Sequence, residues 1–174
     1  MSRYSTMMFV FLAAAALHAQ APPAPITDIA ALKASYAAIK TNITKAADRM
    51  PEDQYAFKAS PDIRTFGGLI GHIADVQGRI CAVAGGTAAP PSPAEKTAKA
   101  DLVAALKTSY AICDPVFDAL TDADSAKMVS LGRGAPRSKT ALLWSLIIGH
   151  SNEEYGYLAV YMRIKGIVPP STQP

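Results

Sequence analysis

The stretch that decides the fold is Ser138 to Gly166, SKTALLWSLIIGHSNEEYGYLAVYMRIKG. A serine able to cap a helix opens it, a glycine closes it, and Pro169-Pro170 bars continuation. With His150 set at zero and 100° per residue, Leu143 and Tyr161 fall at about +20°, Ile147 at about +60° and Leu146 at about −40°. These form one apolar stripe, and His150 is expected at its centre. Glu154 falls at about +40° and Glu153 at about −60°, so at least one carboxylate is aimed inward beside an imidazole. Tyr157, at about −20°, adds a phenol to that face.

Outward from this segment the chain reads as three more helices. One is expected from Asp62 to Ala84, capped by Ser60 with Pro61 at its first position, and stopped by Gly85-Gly86. Leu69, Ile73, Val76, Ile80 and Val83 supply its apolar stripe, with His72 at the edge and Arg79 two turns below. Another is expected from Asp28 to Arg49, capped by Thr27, with Ile29, Leu32, Tyr36, Ile39 and Ile43 inward and Pro51 as its stop. A third is expected from Glu95 to Leu120, with Leu102, Leu106, Tyr110, Val116 and Phe117 inward and a kink at Pro115. Residues 85–95 form a break that reaches roughly 36 Å when extended. That length lets the helices on either side run parallel. Residues 121–138 read as a polar loop, with Arg133, Arg137 and Lys139 solvated around Gly132 and Gly134. No segment has strand periodicity. The expectation is an all-α four-helix bundle without a sheet, with a long crossover between the second and third helices in chain order, Asp62 to Ala84 (helix 2) and Glu95 to Leu120 (helix 3).

Composition agrees with one packed domain. The chain has 174 residues, half of them apolar and 18% charged, with a net charge of +3. No Lys/Arg stripe points to nucleic acid. Arg3 followed by an unbroken apolar run of 11 residues, Met7 to Leu17, reads as a secretory signal ending at Ala19. Residues 20–26 then form a Pro-rich extended lead-in, and 27–174 the domain. The chain is therefore expected to be exported, periplasmic or secreted, with no membrane association after cleavage and with a homodimer left open. Cys81 and Cys113 lie toward the same end of the bundle if helices 2 and 3 are parallel. In an oxidising compartment they are either a disulfide or two buried thiols.

Beyond the expected signal segment the chain has only two histidines, His72 and His150, each in the middle of a helix. Two imidazoles and a carboxylate from two helices suit Zn²⁺ with an open position, or non-haem Fe²⁺. Glu154, four residues after His150, stacks on it and can share an ion; Glu153 competes from the i+3 position. The alternative is a His–Glu hydrogen-bonded pair beside an unrelated His72, in a metal-free binding or scaffold protein. Tyr157 and Arg79 are candidates for catalytic roles, orienting an anionic small-molecule substrate.

The residues also resemble a known family. Met50-Pro51-Glu52, Tyr55, Phe57, Pro61 and Arg64-Thr65-Phe66 are followed by Gly71-His72-Ile73-Ala74-Asp75. The run Gly149-His150-Ser151-Asn152-Glu153-Glu154-Tyr155-Gly156 and the close Tyr161, Arg163, Lys165-Gly166-Ile167-Val168-Pro169-Pro170 complete the pattern. Across almost the whole domain the chain resembles the DinB-like family of metalloenzymes. That resemblance implies an up-down-down-up bundle and a divalent metal (zinc first, with nickel or iron as alternatives) held by three histidines. His72 and His150 match two of these, and Glu154 stands where the third histidine is usual. It also implies a metal-dependent transferase or hydrolase that activates a low-molecular-weight thiol or water.

Overall fold

The computed structural model describes residues 27–132 and 134–172; the expected signal segment and lead-in, and Arg133, lie outside them. Thr27 caps α1 (Asp28–Arg49), its hydroxyl accepting from the Ala30 N–H at 3.2 Å, as its side-chain chemistry requires. Ile29, Leu32, Tyr36, Ile39 and Ile43 are all buried along one face of α1. A short 3₁₀ turn (Glu52–Gln54) leads to α2 (Phe66–Gly85). The expected start of α2 at Ser60-Pro61 is corrected: Thr65 is the cap, accepting from the Gly68 N–H at 2.9 Å. Gly86 ends α2 in the left-handed region, at φ 70°.

The buried face of α2 also differs from its large-aliphatic stripe. Leu69 and Ile73 are buried, but Val83 is exposed and Val76 and Ile80 are only partly covered. Instead Gly67, Gly71, Ala74, Gly78 and Cys81 face inward with Ile70. The cause is close approach by α3 (Lys99–Asp118). A Cβ on Gly67 would meet Leu102 at 3.0 Å, one on Gly78 would lie 3.7 Å from Ser109, and one on Gly85 would meet Val116 at 3.0 Å. Contacts on the two helices climb together, so α2 and α3 run in the same direction. Near their common end Cys81 and Cys113 form a fully buried disulfide, with Cα atoms 5.0 Å apart, which resolves the cysteine alternatives. The crossover packs back on α2: a Cβ on Gly78 would come within 2.6 Å of Pro90.

The expected helix from Glu95 to Leu120 is shorter than its apolar pattern, starting at Lys99 after an Ala98 that offers no side-chain cap. Its inward set, Leu102, Leu106, Tyr110, Val116 and Phe117, is buried as expected. The α1 and α3 helices pair in opposite order. Lys33 donates to the Asp118 carbonyl, Tyr36 and Lys40 to Asp114, and Lys99 to the Asp48 and Met50 carbonyls.

The expectation of no sheet is corrected. Residues 121–138 hold a one-turn α4 (Asp122–Ser125) and a minimal hairpin of β1 (Met128–Val129) and β2 (Arg137–Ser138), paired antiparallel. Positive φ at Gly132 and Gly134 turns the chain between them. Two residues per strand leave no period-2 pattern to read. Ser138 then caps the final helix as expected, accepting from the Ala141 N–H. That helix comprises α5 (Lys139–Leu143), a π turn (Trp144–Gly149) and α6 (His150–Ile164), with helical backbone angles at each junction. Gly166 follows α6 at φ 73°. No described helix is long and apolar enough to cross a membrane.

Candidate metal centre

The π turn alters the face drawn from an unbroken helix. A π turn holds one more residue than an α turn, so positions before it are rotated relative to those after. The buried line passes through Leu143, Ile147, Ser151, Glu154, Leu158 and Tyr161, whereas Trp144 is exposed and Leu146 only partly covered. His150 is therefore corrected from the centre of the stripe to its half-buried edge. Glu154 takes the buried place and Glu153 points to solvent, which decides between the two carboxylates on burial.

Across from it, α2 presents His72. The His72 and His150 Nε2 atoms are 3.1 Å apart, and Glu154 Oε1 lies 3.5 Å from the first and 3.6 Å from the second. A point equidistant from these three donors lies about 2.0 Å from each, against ~2.0–2.2 Å for zinc bonds to imidazole nitrogen and carboxylate oxygen. Side-chain exposure falls from 27% at His72 through 19% at His150 to 7% at Glu154, so solvent reaches the triangle from the His72 side.

The electrostatics suit a cation. Burial, reinforced by the Arg64 guanidinium, lowers the pKa of His72; burial also lowers that of His150. Both rings are thus held toward the neutral form that ligates metals. Burial raises the Glu154 pKa, with Arg64 opposing. Glu154 Oε2 is buried without a hydrogen-bond partner, as is His150 Nδ1. A buried carboxylate oxygen left unpaired is costly unless a cation or proton satisfies it.

The other candidates stand apart. Tyr157 is exposed and donates to Glu153 Oε1 at 3.1 Å, an interaction that raises its pKa. Arg79 pairs with Asp75 at 2.9 Å on the surface of α2. The residue that sequence reasoning passed over is Arg64, noted only as part of a family pattern. It lies just before the Thr65 cap and lines two clefts. The smaller, about 310 Å³, contains His72 and is walled by the crossover at Ser92 and Pro93. The larger, about 670 Å³, contains Leu69, Tyr157 and Tyr161. The available signal was an arginine between two aromatic residues, Phe57 and Phe66, with no acidic partner at helical spacing.

Comparison with known proteins agrees with this architecture. The sequence pattern of the DinB superfamily matches residues 35–157. A DinB-like protein from Bacillus cereus ATCC 10987 superposes with a TM-score of 0.69 at 20% identity, over 82% of this chain and 95% of its own. A DinB-like protein from Bacillus subtilis gives a TM-score of 0.62 at 19% identity, over 78% and 92%. At such identities the two structures speak for the fold alone. No curated protein matches the chain.

Proposed function

The chain belongs to the DinB superfamily, and from that premise we propose that it is a divalent-metal-binding protein whose ligands are His72, His150 and Glu154. The observation that carries this reading is the triangle of donors with sides of 3.1, 3.5 and 3.6 Å, formed by two imidazoles that burial keeps neutral and a carboxylate with an orphaned oxygen. Zinc is the first choice because a His₂–carboxylate set with an open position suits it; iron and nickel accept the same donors. The surrounding topology is proposed to be an up-down-down-up four-helix bundle, supported by the parallel α2–α3 contacts and the reversed α1–α3 pairing.

A divalent ion held there would supply Lewis acidity, lowering the pKa of a bound water or thiol. The chain's own part is to keep both rings deprotonated, to fix Glu154 in a dry setting, and to leave the His72 side open to a small molecule. A metal-dependent transferase or hydrolase acting on water or a low-molecular-weight thiol is the corresponding activity. Export to the periplasm or the medium is proposed with it, supported by the buried Cys81–Cys113 disulfide, a bond that persists where thiols are oxidised.

A second reading, a metal-free polar network, is favoured by one contact, the 3.1 Å approach of the two Nε2 atoms, which a single proton can bridge. Thermal melting separates the two. Zinc should raise the melting temperature of wild-type protein over that in chelator, and His150→Ala should abolish the difference. Identical melting of the wild type in zinc and in chelator would refute metal binding.

A further inference from the structure

We infer that Arg64 and the 670 Å³ cleft beside it form a binding site for a small amphipathic organic anion, whose apolar body fills the cleft and whose anionic end meets the guanidinium. The volume is within the range of about 300–1,000 Å³ that small-molecule sites occupy. Its walls divide by chemistry. Leu69, Ile63 and the rings of Tyr157 and Tyr161 give apolar surface, while Arg64 and Lys58 outnumber one carboxylate, Asp62.

The arginine is positioned but not engaged. Its backbone carbonyl accepts the Tyr161 hydroxyl at 2.6 Å, which ties residue 64 to α6. Its guanidinium is exposed and takes part in none of the ion pairs among the described residues. A guanidinium presents a planar fork of donors that fits a carboxylate through two hydrogen bonds. Arg64 also lines the smaller cleft that contains His72, so it is a residue common to the apolar cleft and the cleft beside one of the donors. The positive field of Arg64 reaches His72, His150 and Glu154 alike. That the anion's neighbour is a bound cation rests on the metal reading; the contact with Arg64 does not.

The probes are 3-phenylpropionate and its neutral counterpart 3-phenylpropanamide, titrated calorimetrically into zinc-loaded and chelator-treated protein. The acid should bind at least about tenfold more tightly than the amide in both forms. Arg64→Gln should remove that preference, and Arg64→Lys should restore part of it. Because Arg64 is exposed, the variants should melt with the wild type, so that the loss reports binding rather than folding. Equal affinity for acid and amide, no binding of either, or an undiminished preference in Arg64→Gln would overturn the inference. If zinc fails to bind while the Arg64-dependent preference survives, the metal reading falls and this one stands. If zinc binds and the preference is absent, the reverse holds.

Discussion

Replacing Glu154 by Gln should make the protein more stable than wild type without metal and less stable than wild type with it. The side chain keeps its shape and loses its charge. In chelator, wild-type Glu154 is buried with Oε2 unpartnered, a burden of about 1–3 kcal/mol for a group of this kind. Burial raises its pKa, so the charged form is the disfavoured one in the folded state, and stability falls as pH rises through that raised value. The amide escapes this cost in part, and Glu154→Gln should melt roughly 2–4 °C above wild type in chelator, equivalent to about 1 kcal/mol. With zinc at about 100 times its Kd the wild type gains ~2.7 kcal/mol, or about 5–11 °C. The variant lacks the anionic ligand and should gain less than roughly a third of that. Differential scanning calorimetry at neutral pH, with and without chelator, reads both arms. Equal zinc-induced shifts in the two proteins would refute Glu154 as a ligand. A variant well below wild type in chelator would show that the carboxylate is already satisfied without metal.

Other outcomes follow from particular contacts. Replacing both Cys81 and Cys113 by Ala should cost roughly 3–4 kcal/mol, because the bond closes a loop with a sequence separation of 32. The melting temperature should then fall by about 6–16 °C, and a fall under about 3 °C would show that the bridge contributes little. Gly78→Ala should destabilise by about 1–3 kcal/mol, since its Cβ would lie 2.6 Å from Pro90 and the crossover must move; unchanged denaturant midpoints would contradict the packing. In chelator-treated protein the His72 and His150 rings should titrate below the ordinary histidine pKa of about 6.5, because burial lowers both, as followed by their ring-proton NMR shifts. A midpoint above that value for either ring would contradict the lowered pKa values.

The helices and the donor set were legible in the sequence for the same physical reason. Stripes such as Ile29, Leu32, Tyr36, Ile39 and Ile43 repeat at helical spacing, and His72 and Glu154 sit close enough to such stripes to be carried inward. The buried face of α2 was not legible, because glycines at 67, 71 and 78 carry no hydrophobic signal; their role is the close approach of α3. The π turn at Trp144–Gly149 was hidden as well, since inserting one residue in a turn leaves composition unchanged while rotating Leu143 relative to α6, where Ser151, Leu158 and Met162 leave His150 at the edge of the buried face. Arg64 escaped because its importance lies in two clefts where the loop before α2 meets α2, α6 and the crossover, a juxtaposition that no local pattern records.

The most direct test of the metal centre is the metal content of protein made without a histidine tag, loaded with zinc, desalted and measured by inductively coupled plasma mass spectrometry. A His₂–carboxylate set has the ligands for about one divalent ion per chain. That stoichiometry is expected in the wild type, with its loss in both His72→Ala and His150→Ala. A wild type that retains no more metal than either variant would contradict it.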